Sequence, residues 1–198
     1  MQPVGFKLSI EDIKELQEQL AQSRQRERAL ELRVEELSDF MENVSMPLHW
    51  VDGHGVISWA NQAELDLLGY AKEEYVGCSI SDFHADATVI RDILSRLGDK
   101  ETLQNYPARL KCRDGSIKHV LINTNVLWQE GKFMHTRCIT RDITDTVAEE
   151  NRRAELLRQL EQSEVRLLMA MEATGLGTWD YNPVSGQLSW SDECKKIY

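Results

Sequence analysis

The chain has few cysteines and no pattern among them. Cys78, Cys112, Cys138 and Cys194 form no CxxC pair and no regular framework, which excludes a disulfide scaffold and points to free thiols. No apolar run approaches the ~20 residues that a membrane-spanning helix needs, and the stretch from Met1 to Gln19 has no apolar core of a signal peptide. No membrane segment is expected, and the cytoplasm is the default compartment. Also missing are a Gly-rich loop followed by Lys-Ser or Lys-Thr, an HExxH pair and a Gly-x-Ser-x-Gly elbow, so no catalytic residue is assigned. His49, His54, His84, His119 and His135 never stand at i, i+4 or another tight metal spacing, and no metal site is expected. His135 is the last histidine, so the helical region after Asp145 holds no phospho-accepting histidine. Asp and Glu number 33 against 23 Lys and Arg, a net charge of −10. That excess, with no basic helix, argues against nucleic acid and anionic lipid as partners.

The chain reads as five consecutive segments. Residues 1–8 are expected to be poorly ordered. Residues 9–45 read as one long helix capped by Ser9, without Pro or Gly between Ser9 and Pro47. Ile13, Leu16, Leu20, Ser23, Glu27, Leu30, Val34, Leu37, Met41 and Val44 are spaced 3-4-3-4, the seam of a coiled coil. A lone helix would leave that stripe wet. Ile13, Leu16, Leu20, Leu30, Val34, Leu37, Met41 and Val44 are therefore the expected contacts of a parallel homodimer. The competing reading folds the helix back on its own domain.

Residues 46–145 read as a mixed α+β domain with helices on one face of a sheet. Pro47–Asp52 and Val56–Ala60 flank a Gly53–His54–Gly55 turn. A first helix begins at Asn61 and stops at Gly69, and Ala71–Gly77 adds another turn or two. The run from Ala85 to Leu97 places Val89, Ile90, Ile93, Leu94 and Leu97 on one helical face. Tyr106–Cys112 alternates as a half-buried strand, and Pro107 puts it at a sheet edge. Asp114–Gly115 and Glu130–Gly131 are hairpin turns to strands Ile117–Trp128 and Phe133–Ile143. Both of these last strands are apolar on both parities, so period does not say which side faces the core. His119 and His135, in neighbouring strands, are candidates to meet across the sheet.

From Thr146 to Ala173 the chain is helical again, its apolar stripe changing face. Thr178–Tyr181, a Pro-Val-Ser-Gly turn and Leu188–Trp190 then open a further hairpin.

WVDGHGVISWANQAELDLLGYAKEEYVG, KCRDGSIKHV and the closing TRDITD together resemble a PAS domain. The resemblance implies a five-stranded antiparallel sheet flanked by short helices, with Asn61 starting a helix and Gly69–Tyr70 ending it. Asp142, Ile143 and Thr144 match the triplet at which the last strand of the family hands over to an output helix. Residues 146–173 are then a linker helix, and 174–198 resemble the truncated start of a second PAS domain in a longer multidomain protein. The implied function is a sensory and dimerisation module that relays a signal to a downstream output domain, a histidine kinase first. A ligand-free interaction scaffold and the input domain of a cyclic-dinucleotide enzyme are the alternatives. No cofactor is assigned. Cysteinyl-flavin chemistry is disfavoured because Ile80 stands where the reactive Cys belongs and Cys78 directly follows Gly77. Haem is disfavoured because the long helix has no His. Non-covalent flavin or a small metabolite stays open, with Trp50, Trp59, Asn61 and His84 as cavity residues and Trp128 as a further redox neighbour. Asp142 is expected to pair with Arg141 or Arg113, and Thr144 to cap the output helix.

Overall fold

A computed structural model describes residues 10–197, apart from the side chains of Ile10, Asp12, Ile13, Glu193, Lys196 and Ile197. The expectations for residues 1–8, the Ser9 cap and the Ile13 side chain lie outside the described residues. The chain divides into two compact units between Thr144 and Asp145.

The first unit opens with α1 (Ile10–Asn43). Good helix formers fill it, and no Gly or Pro interrupts it. Its expected seam stands open in the single chain, with Leu16, Leu20, Leu30, Val34 and Leu37 all more than half exposed. Only Met41 and Val44, near its C-terminal end, are half-buried.

Five strands follow: β1 (Leu48–Val51), β2 (Ile57–Ala60), β3 (Leu103–Lys111), β4 (Ile117–Gln129) and β5 (Lys132–Asp142). They form one antiparallel sheet in the order β2-β1-β5-β4-β3. β3 is at an edge, as Pro107 requires, since proline donates nothing to a ladder. It begins at Leu103, earlier than its alternation suggests, because a bulge lies between Leu103 and Tyr106 and Asn105 takes a positive φ of 49°. The β4–β5 turn is the tight pair Glu130–Gly131, both at positive φ (51° and 78°), which matches the twist of the strands it joins.

Four helices cross from β2 to β3: α2 (Gln62–Leu68), α3 (Lys72–Tyr75), α4 (Ile80–Phe83) and α5 (Ala87–Gly98). The sequence reading of the last, from Ala85, started two residues early, and α4 escaped it. Ile90, Ile93 and Leu97 of α5 pack on Val51, Ile57, Leu110, Val120 and Ile122 of the sheet. The connecting segment also blunts both sheet edges. Val56 bridges Ser79 beside β2, and His84 bridges Leu110 beside β3. Open edges invite pairing with other chains.

In the second unit, α6 (Thr144–Thr174) buries none of its residues. Leu156, Leu157, Leu160, Leu167 and Leu168 are exposed. A hairpin of β6 (Trp179–Asn182) and β7 (Gln187–Trp190) pairs Trp179 with Trp190. The short α7 (Asp192–Ile197) follows, with Cys194 buried. Trp179 and Trp190 stay exposed, as a hairpin without a covering layer requires.

Candidate functional site

Between the helices and the inner face of the sheet lies a polar cluster in an apolar core. His49 stands opposite Cys138 in the β1–β5 ladder, so both side chains point inward. Glu64 comes from the first turn of α2, Tyr75 from the end of α3, and Thr124, Thr136 and Thr140 from β4 and β5. All seven are buried. Burial of so many polar groups is costly unless each finds a partner.

Most of these groups have close polar neighbours, although His49 Nδ1 and Thr140 Oγ1 make no aligned hydrogen bond. His49 Nδ1 lies 2.9 Å from Glu64 Oε1, and the Tyr75 hydroxyl donates to the same oxygen at 3.0 Å. Cys138 Sγ is 3.0 Å from Thr124 Oγ1 and 3.2 Å from Thr136 Oγ1. The Val51 amide donates to Thr136 Oγ1, which leaves the Thr136 proton free for the sulfur. Thr140 also faces the carboxylate, yet Glu64 Oε2 has no aligned hydrogen bond.

Electrostatics follow from this packing. Burial alone would lower the pKa of His49, but the neighbouring Cys138 and Glu64 outweigh it and hold the imidazole well above its ordinary value. Burial alone would raise Glu64, and the His49 charge with its hydrogen bonds brings it below the usual carboxylate value. The Cys138 thiol is likewise drawn down against burial by His49. One imidazolium thus serves two acids. Glu64, intrinsically the stronger acid, carries the matching charge. Tyr75 is pushed well up by burial and by the Glu64 charge, and remains a donor.

His84 behaves oppositely. Burial, then the His49 charge, lower it to about 4. Its ring is neutral at pH 7, and its Nδ1 is buried without a hydrogen-bond partner. With His49, Thr136, Cys138 and apolar side chains including Ile80 and Ile93 it lines a cavity of about 20 Å³. That is room for one water-sized molecule. An isoalloxazine or a porphyrin does not fit it.

Of the expected cavity residues, only His84 is there. Trp50 and Trp59 lie on the outer face with their rings tilted against each other at 4.9 Å, and Trp50 stacks on His135 at 4.3 Å. Strand parity is the reason: His49 and Val51 take the inner positions, so Trp50 points out. Trp128 packs edge-on against Phe133 with Lys100 over its ring, and does not line the cavity. Asn61 is fully buried but is spent on the backbone. Its Oδ1 accepts from the Leu48 and Glu64 amides, and its Nδ2 donates to the Met41, Val44 and Met46 carbonyls at 3.2, 3.3 and 2.9 Å. His119 and His135 do not meet. They pair with Arg109 and Leu127, far apart along the ladders.

A second constellation closes the domain. Lys118 Nζ donates to Asp142 Oδ2 at 2.7 Å, so the partner of Asp142 is Lys118. Arg141 reaches Asn105 instead, and Arg113 binds Glu74. Asp142 Oδ1 accepts from both the amide and the hydroxyl of Thr144, at 2.9 and 2.6 Å. The Thr144 hydroxyl oxygen accepts the His119 amide at 3.0 Å, and the Ile143 amide donates to the His119 carbonyl. Thr144 therefore turns back to β4 rather than capping α6 forwards. Asp142 supplies the cap.

The motifs of the sequence missed His49, Glu64, Tyr75 and Cys138. The available signal was Thr136-x-Cys138-x-Thr140, small polar residues alternating with Arg137, Ile139 and Arg141.

The strand order, the helices confined to one face and a polar cluster sealed between the layers define a small α+β domain of one recurrent fold. Residues 41–148 match the PAS fold family, and the chain belongs to it. Among solved structures, the PAS domain of an HTR-like protein from Haloarcula marismortui is 30% identical with a TM-score of 0.53, over 61% of this chain and 99% of that one. The PAS domain of a protein from Colwellia psychrerythraea is 22% identical, with a TM-score of 0.52 over 57% of this chain and 98% of that one. A PAS domain from a two-component sensor histidine kinase is 15% identical, with a TM-score of 0.50 over 57% of this chain and 97% of that one. These last two share the fold. No curated protein matches the chain. No helix among the described residues is long and apolar enough to cross a membrane.

Proposed function

We propose that the chain is a sensory and dimerisation module of a cytoplasmic signalling protein. The state of the PAS core passes through Asp142, Ile143 and Thr144 into α6 and on to an output domain, a histidine kinase in the first instance. The observation that carries this reading is the Lys118–Asp142–Thr144–His119 clamp. It ties two strands to the first residue of a helix in which no residue is buried. The junction has no glycine, so a shift of β4 against β5 reaches α6 with little slack. The β6–β7 hairpin begins a second PAS domain in this scheme.

Replacing Asp142 with Ala removes the cap, the Lys118 pair and the tie to Thr144. Unfolding of the domain is expected to change by only about 0.5–2 kcal/mol, while signal-dependent output of the full-length parent falls. Inserting two glycines after Thr144 should do the same without touching the core. A parent that responds normally in both variants rules out the relay and leaves a scaffold.

The dimer is carried by the exposed stripe of α1. Lys at both Leu30 and Leu37 places two charges in the seam, and light scattering is expected to show a monomer. Glu27→Leu, which removes a charge from the seam, strengthens the dimer. A double-Lys variant that stays dimeric moves the interface elsewhere.

A further inference from the structure

We propose that Cys138 is an oxidisable sensor thiol and that hydrogen peroxide, entering the small cavity beside it, is the substrate. The inference rests on the sensory reading of this core and names the stimulus.

Three observations converge on it. The cavity of about 20 Å³ is lined by Cys138, His49 and His84 together, and its size admits water or a peroxide but no larger oxidant. His84 is 4% exposed and its Nδ1 is buried without a partner, so the wall of this cavity holds a polar group with an unfilled hydrogen bond, to which a peroxide O–H donates. Around the sulfur, Thr136 has a free proton to give, and Thr124 lies at 3.0 Å. His49, its cross-strand partner, supplies the positive charge that favours thiolate.

The chemistry balances. The ionised sulfur gives an electron pair to one peroxide oxygen, an S–O bond forms and the O–O bond breaks. The departing hydroxide takes the His49 imidazolium proton and leaves as water. The proton lost when the thiol ionised then restores the imidazolium. Sulfur is oxidised to a sulfenic acid, and peroxide is reduced to water. The new oxygen enters a cavity with no spare room, four residues before Asp142 on the same strand.

Cys112 is the internal control. It is as buried as Cys138 (7% against 6%), but it lies outside the cavity. The folded chain is treated with dilute hydrogen peroxide and a sulfenic-acid trap, and each cysteine is followed by peptide mass spectrometry. Cys138 is expected to be trapped roughly tenfold faster than Cys112, in line with thiolate control of reactivity. The isosteric pair His49→Asn with Glu64→Gln, which removes the charge without leaving a lone ion, brings the two rates together. Modification confined to the half-exposed Cys78, or equal rates at Cys112 and Cys138 in the parent, overturns the proposal. Because the readout is chemical, it stands or falls separately from the relay: loss of output coupling after the glycine insertion leaves the Cys138 rate unchanged.

Discussion

Replacing Glu64 with Ala is expected to destabilise the PAS domain by about 3–5 kcal/mol, since removing one partner of a buried ion pair strands the other charge. Glu64 and His49 are 0% and 4% exposed at their side chains, so bulk solvent does not replace the lost carboxylate beside the imidazolium that remains. Tyr75 loses its acceptor in the same step. Exposed pairs such as Arg113–Glu74 make the contrast, since pairs of that kind contribute about 0–1 kcal/mol. The loss belongs to the unpaired charge rather than to the pair as such. Replacing both members with apolar residues, His49→Leu with Glu64→Met, should therefore recover most of the stability. Urea unfolding of the parent, the single variant and the double variant checks this. A single variant within ~1 kcal/mol of the parent means that the buried pair is not ionised.

The second large effect is on acid stability, and His84 sets it. Its pKa falls from 6.5 to about 4 on folding. Between those values the unfolded chain binds a proton that the folded chain refuses, so stability rises with pH across the window. Descending from pH 6.5 to 4 should cost the domain about 3 kcal/mol from this residue alone. Glu64 adds a loss of the same sign, because its folded pKa is lowered and its contribution disappears as pH falls through it. His49 acts the other way. Its folded pKa is raised, so its contribution is complete below 6.5 and disappears as pH rises through the folded value. Stability should therefore peak near neutrality. A His84→Phe variant is expected to flatten the acid limb between pH 6.5 and 4 in denaturant titrations. An unchanged slope there assigns the acid sensitivity to other groups.

Much of the fold is legible in the sequence because local chemistry dictates it. Asn61 and Gly69 bracket α2 as cap and left-handed stop. Pro107 excludes an interior strand, and Glu130–Gly131 excludes a wide turn. The site is less legible for one reason: the sheet carries its polar residues inward and several of its apolar ones outward. Thr124, Thr136 and Thr140 are buried, while Leu48, Trp50 and Ile139 line a groove on the other face beside Phe40, Met41 and Val44. Alternation read by hydrophobicity alone cannot decide between such faces. The partner of Asp142 was hidden for a related reason. Lys118 sits far away in sequence and reaches it only through the β4–β5 register, which pairs Val120 with Asp142. Burial of Glu64 had no local signal at all, since a carboxylate in the first turn of a helix is ordinary at a surface.

Asn61 has a mechanical consequence. Its amide has two hydrogens and faces three carbonyls at the end of α1 and just beyond it, at 2.9 to 3.3 Å. Its oxygen is meanwhile pinned by the amides of Leu48 and Glu64. Such a joint is a bearing with a fixed seat and more rests than pins. As the end of α1 twists, the two hydrogens pass between neighbouring carbonyls without either being stranded, while the core side does not turn. A twist at the end of α1 is thereby taken up at the cap residue of α2, and Glu64, one helical turn further on, keeps its place.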